Sequence, residues 1–264
     1  MLSSRPQATL LAAASPTMTS SLPTLDLLMR HRSIRRFTDA AVPDADVQAA
    51  VRAGQAASTS TGAQAYCVMA VTDPTVRAAL VPLAGNQRMV ERCGAFLVIC
   101  GDTHRHRLAC SDAGQPYEAG FEALLVAAID ASLFAQNIAV AFEAMGYGVC
   151  YVGGLRNQLE EVDALLGGLP QGVYPLFGMC IGVPAEDPLP RPRLPLASVL
   201  LRDRYPDDAT MRNHLADYDR QYADYLATRG TEARGWTAGI VPMFAKLKRA
   251  GLAAYYKAKG ARLD

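Results

Sequence analysis

Four arginines and a histidine fall within eight consecutive positions, RHRSIRRF (30–37), of a 264-residue chain whose formal net charge is only +1. Guanidinium forks suit oxyanions because their N–H donors match two oxygens at once. Such charge-assisted bonds contribute about 1.5–3 kcal/mol each. Three further segments could meet the rest of an anionic ligand. ASTSTGAQ (57–64) sets four hydroxyls and a glycine directly after a helical stretch, offering donors to ring heteroatoms or phosphate. YVGGLRN (151–157) places two glycines after a strand pattern, so backbone can approach a ligand closely. PRPRLP (190–195) carries Arg191 and Arg193 on a proline-stiffened connector that fixes their spacing in advance. Singly, each segment also reads as solvated charge, turn or linker. Together they suit a phosphorylated, flat, heteroatom-rich ligand.

Other chemistries leave no signature. There is no Walker-type loop, GxGxxG fingerprint, HExxH or GxSxG, and no pair of acids in an acid/base context. THRHR (103–107) sets arginines beside its two histidines, where they would repel a cation; it reads as a solvated loop, and no metal site is expected. The balanced charge argues against a general nucleic-acid binder. A non-catalytic nucleotide-binding protein remains the alternative from another class.

The elements that must position these segments follow from periodicity. Helices are expected over TLDLLMRH, with Thr24 as candidate N-cap, and over PDADVQAAVRAGQAA, with Val47, Ala50, Val51 and Gly54 on one face. YCVMAVTD, AFLVICGD, GVCYVGG, YPLFGMCIGVP and LASVLL read as strands; VRAALVPL, QRMVERC and RNQLEEVDALLG read as helical pieces. Residues 118–145 form the longest periodic segment, apolar on most sides. The length would span a membrane, but Asp130, Gln136 and Asn137 fall mid-segment, where uncompensated charge is expensive. A helix buried in a core or at a subunit interface is the better reading, and no membrane association is expected. Four prolines make AEDPLPRPRLP irregular, and helical patterns return from Ala209, over TMRNHLADYDRQYADYLATRG and GIVPMFAKLKRAGLAAYYKAKG. Strands and helices mix without clean βαβ alternation, which defines an α+β class. The acid-free N-terminus, 1–22, reads as a disordered extension ahead of one domain, 23–264, with a C-terminal helical excursion from about 205. Four of six cysteines lie in or beside apolar runs, reading as buried thiols in a reducing, cytoplasmic compartment.

RHRSIRRFTD, ASTSTGAQ, YVGGLRN and GMCIGVPAEDPLPRPRLP, in this order, resemble the FMN-dependent nitroreductase/flavin reductase family, in particular its NADPH-preferring, oxygen-insensitive type. The resemblance covers about residues 24–240. It implies an α+β fold, a central mixed or antiparallel sheet flanked by helices, and an obligate homodimer with the 118–145 helix at the interface and FMN sites between subunits. By the resemblance, His31, Arg32, Ser33 and Arg35 hold FMN, and Arg191 and Arg193 complete its phosphate site. Thr59, Ser60 and Thr61 match the family's hydroxyl loop, and Gln87 a glutamine at the ring's pyrimidine side. Val152, Gly153, Gly154 and Leu155 bring backbone near flavin N5, and Glu122 matches an acid on the substrate side. Arg229 and Arg234 match arginines that grip the NADPH 2′-phosphate. Gly62 stands where this type often has a bulky residue, which implies a wider acceptor pocket. The implied activity is ping-pong hydride transfer from NADPH through FMN to nitroaromatic, quinone or flavin acceptors. Free-flavin reduction, dehalogenation and flavin conversion are alternatives within the family. Arg36 is expected as a surface charge and Phe37 as a core anchor.

Overall fold

The computed structural model describes residues 22–263, so the expected N-terminal extension lies almost wholly outside the described residues. The chain opens with α1 (Pro23–Met29) and α2 (Asp44–Gln55). Then come β1 (Tyr66–Ala70), α3 (Pro74–Leu83), α4 (Met89–Arg92), β2 (Ala95–Asp102) and α5 (His104–Asp112). The long α6 (Phe121–Ala144) leads to β3 (Gly148–Val152), α7 (Leu159–Leu165) and β4 (Val173–Gly182). The C-terminal part is helical: α8 (Asp208–Thr228), α9 (Trp236–Phe244) and α10 (Leu252–Ala258).

The four strands pair in the order β1-β2-β4-β3, antiparallel throughout, so the sheet is not mixed. Strand β2 is buried on both faces, which is why AFLVIC reads as a continuous apolar run. Leu97 and Ile99 point into a cluster with Phe134, Ile138 and Phe142 of α6. Phe96, Val98 and Cys100 point the other way, toward Leu80, Val90 and Val162 under α3, α4 and α7. Period-2 alternation therefore feeds two cores rather than one core and solvent. On α2, Ala50 and Gly54 are buried and Val47 and Val51 half-buried, as the expected face requires. The six cysteines are free, four of them buried.

Helix α6 is buried along Ala127, Ala131, Phe134, Ile138 and Phe142, but Phe121, Leu125, Ile129 and Leu133 leave a half-exposed apolar stripe at every fourth residue. Within one chain it is thus a core helix on one side only. The C-terminal segment docks on the sheet layer: Tyr256 Oη donates to the Pro175 carbonyl at 2.9 Å, and Lys259 pairs with the buried Asp163.

Several local expectations give way. Helix α1 starts at Pro23 with Leu22 at the cap, because proline suits the first helical position; Thr24 lies inside. THRHR is not a loop but the start of α5. The Asp102 carboxylate accepts from the His104 N–H at 2.9 Å and so caps the helix from outside the motif. LASVLL forms a single 3₁₀ turn, Leu196–Ser198, with Leu196, Val199 and Leu200 exposed, and it joins no strand of the four-stranded sheet. The last predicted helix is broken in two, with Arg249 at φ +57° between α9 and α10.

Candidate functional site

The arginine-rich segment is held by backbone. Ile34 is buried and its N–H donates to the Val149 carbonyl at 2.9 Å, beside a Ser33–Val149 bridge to the start of β3. Two residues on, Ala185 donates to Arg36 and Thr38 to Val183, each at 2.9 Å, while Phe37 bridges Pro184 and packs on the core. The 33–38 segment is thus zipped between β3 and the chain leaving β4. That fixes the arginine side chains opposite the proline-rich connector.

Glu186 secures the turn. Its Oε1 accepts from the Arg35 N–H at 2.6 Å and the Arg36 N–H at 3.1 Å, and its Oε2 pairs with the exposed Arg36 guanidinium at 3.0 Å. Burial alone would push this carboxyl up, but these donors outweigh it and hold it below the usual glutamate value. Arg32 pairs with the exposed Asp187 through Nε at 2.9 Å and through Nη2. His31 Nδ1 lies 2.6 Å from Glu143 Oε1 at the end of α6. A carboxylate only accepts, so the shared proton sits on Nδ1 and Nε2 is left for another partner.

The result is a pocket of about 210 Å³ in which three distant segments meet. His31, Arg32, Ser33 and Arg35 come from the first; Glu186, Pro188, Leu189, Arg191 and Arg193 from the connector; Tyr225 and Arg229 from the end of α8. Five guanidinium groups with a single lining carboxylate, Glu186, make a site for a polyanion. Tyr225, Glu186, Glu143 and Asp187 were not singled out by sequence reasoning. The tyrosine spacing in YDRQYADY was the one available signal; the acids carried none.

From Val149, β3 runs four residues to Gly153, about 13 Å at strand rise. There the Gly153–Leu155 turn is pressed against α3 and its following loop. A Cβ on Gly154 would lie 2.2 Å from the Ala84 carbonyl and 2.6 Å from Gln87 Nε2, so only glycine fits. Gln87 itself donates to the Ala84 carbonyl at 2.8 Å. The structure therefore sets Gln87 against the Val152–Leu155 turn.

The hydroxyl loop is held elsewhere. The fully buried Asp130 of α6 accepts from the Ser60 N–H at 2.9 Å and the Ala65 N–H at 3.1 Å. His106 Nε2 bonds the Ala63 carbonyl at 2.9 Å. Between these ties Thr61 adopts φ +48° and Gly62 φ +74°, a left-handed pair that strains the threonine. Nothing lies within 4 Å of a Cβ on Gly62, so the space beside it is open, yet any larger residue there meets an unfavourable φ. A mostly apolar cavity of about 390 Å³ opens beside this loop, lined by Ala63, Ala65, His106, Tyr117, Glu122 and Val126 among others.

Within one chain these groups do not all meet. Glu122 and Glu143 stand 21 residues apart on α6, about 32 Å along its axis. The arginine pocket beside Glu143 and the cavity beside Glu122 thus lie toward opposite ends of that helix. Arg234 stays outside the arginine pocket; its guanidinium packs about 3.8 Å from where a Cβ on Gly239 would lie, at α9.

An antiparallel sheet between two helical layers, with an arginine pocket at one end of a long helix and a hydroxyl loop midway along it, defines an α+β protein built for a phosphorylated planar ligand. The model of the Nitroreductase family matches residues 28–183, and that of the Nitroreductase family, C-terminal domain, matches 191–264. The chain belongs to the nitroreductase family. It is 42% identical over 214 residues to an oxygen-insensitive NADPH nitroreductase of Salmonella typhimurium, covering 80% of this chain and 86% of that one. It is 38% identical over 245 residues to an FMN reductase (NADPH) of Bacillus subtilis, covering 90% and 97%. The structure of the NfrA1 nitroreductase from B. subtilis superposes with a TM-score of 0.88 at 37% identity, over 91% of this chain and all of the other.

Proposed function

We propose that this chain is an NADPH-driven, FMN-dependent oxidoreductase acting on nitroaromatic, quinone or flavin acceptors. The observation that carries the reading is the convergence of His31, Arg32, Ser33 and Arg35 with Arg191 and Arg193 in one pocket. The donor set fits FMN: guanidinium forks for the phosphate, then a glycine turn about 13 Å along β3 where a Cβ would collide with backbone. When bound, FMN supplies two-electron transfer between NADPH and the acceptor in a ping-pong sequence.

The chain's own residues bind and orient. Arg32, Arg35, Arg191 and Arg193 hold the phosphate, with Ser33 donating and His31 lying beside them. Val152, Gly153, Gly154 and Leu155 present backbone to the ring edge, and Gln87 meets its pyrimidine side. Thr59, Ser60 and Thr61, fixed by Asp130, supply further donors, and Glu122 lines the acceptor cavity. Arg229 reaches the NADPH phosphate from the rim of the same pocket, with Arg234 beyond it. The spacing along α6 supports a homodimer: two α6 helices pairing antiparallel through Phe121, Leu125, Ile129 and Leu133 would bring the arginine pocket of one subunit toward the hydroxyl loop and Glu122 of the other. Residues 23–264 act as one unit, and the free buried thiols fit a cytoplasmic setting.

Purified protein mixed with FMN and then desalted should remain yellow, and stopped-flow mixing with NADPH should bleach it faster than NADH does. Arg229→Ala should narrow that preference about tenfold, the loss of one charge-assisted contact. A colourless protein after desalting would overturn the reading.

A further inference from the structure

The phosphate arginines sit on an irregular connector, and a polyproline strand has no internal hydrogen bonds to hold it still. Something else must fix it. The structure shows one face of α8 doing so. Tyr218, Tyr222 and Tyr225 stand at i, i+4 and i+7, on one helical face. Tyr218 is 4% exposed, and its hydroxyl donates to the Pro192 carbonyl at 2.8 Å. Pro192 lies between Arg191 and Arg193. One turn on, the Tyr222 ring lies under the Arg191 guanidinium, 5.9 Å from its centroid. At the far end Tyr225 Oη reaches the Leu189 carbonyl at 3.4 Å. Burial pushes the Tyr218 phenol up, so at neutral pH it remains a proton donor. Trp236 of α9 packs against the Tyr218 ring, with centroids 5.7 Å apart.

We propose that Tyr218, seconded by Tyr222, is a positioning residue for the FMN phosphate: it clamps the Pro192 carbonyl and so aims Arg191 and Arg193 into the arginine pocket. Neither tyrosine touches the flavin. The inference rests on the reading of that pocket as the phosphate site. It adds that the C-terminal helical part, whose α8 ends at the NADPH-facing Arg229, sets the strength of FMN retention.

The test compares FMN with riboflavin, which lacks the phosphate, by fluorescence titration of full-length apoprotein. Tyr218→Phe removes the only donor the structure shows on the half-buried Pro192 carbonyl and should weaken FMN binding about tenfold while leaving riboflavin binding at its wild-type value. Tyr222→Leu, which removes the ring under Arg191 but keeps the clamp, should give a smaller loss with the same selectivity. If Tyr218→Phe does not fold, Tyr222→Leu decides alone. An equal loss for both flavins would reduce the tyrosines to general scaffolding and overturn the proposal, as would unchanged FMN binding in both variants. Wild-type protein that binds riboflavin as tightly as FMN would overturn the phosphate-site reading itself, a different failure.

Discussion

At the scale of single residues, the site depends on carboxylates as much as on arginines. Glu186 accepts two backbone N–H bonds and a guanidinium in a pocket otherwise built for anions. Its folded-state pKa is lowered, so its stabilising effect is present above the unfolded value near 4.5 and is lost as pH falls through the lower folded value. Glu186→Gln should therefore lower the urea midpoint at pH 7, with the difference shrinking as pH falls below 4.5; an equal drop at every pH would dissociate the effect from charge. Residue types of the arginine pocket, hydroxyl loop and glycine turn were legible in the sequence, because such segments advertise anion and backbone chemistry. The acids that order them were not. Glu143, Glu186 and Asp130 act by reaching segments far along the chain; Asp130 stood out only as a charge in an apolar helix, and nothing local marked what it or the glutamates would accept from.

At the scale of elements, order and type were mostly readable, because burial on both faces of the sheet imposes strong apolar periods on β2, β4 and α6. The failures share a cause in what surrounds the segment. LASVLL has strand composition but joins no strand of the sheet, and THRHR has loop composition but a helix cap donated by Asp102. The Gly153–Leu155 turn shows the reverse case, where a local signal was sufficient. Its second glycine, Gly154, is demanded by the approach of the Ala84 carbonyl, 2.2 Å from where a Cβ would lie. Gly154→Ala should cost about 2–3 kcal/mol in unfolding free energy, because backbone rather than a mobile side chain must give way. Chemical denaturation measures this directly, and a loss under about 0.5 kcal/mol would mean that the α3 loop yields easily.

At the scale of the whole molecule, α6 sets the layout. Its inner face carries Phe134, Ile138 and Phe142 into the core, and its outer face leaves Phe121, Leu125, Ile129 and Leu133 half-exposed. In the proposed homodimer, a charge in that stripe should separate the subunits without disturbing the core. Ile129→Glu should elute as a monomer in light-scattering chromatography, keep its thermal transition, and lose FMN affinity at least tenfold; a dimeric, fully yellow variant would place the subunit contact elsewhere. The all-round apolar character of this segment was plain in the sequence, but not which side met the core and which stayed free. That division depends on packing against α2 and the sheet.

The distance between the two ends of α6 also has a genetic reading. If each flavin draws arginines from one polypeptide and hydroxyls from the other, two crippled alleles can rescue one another. A chain altered at Arg35 and a chain altered at Asp130, produced together, would assemble half of their pairs as hybrids. In each hybrid one site collects both lesions and the other collects neither, restoring about a quarter of the wild-type sites from two inactive parents. A site built within one chain could never be repaired that way.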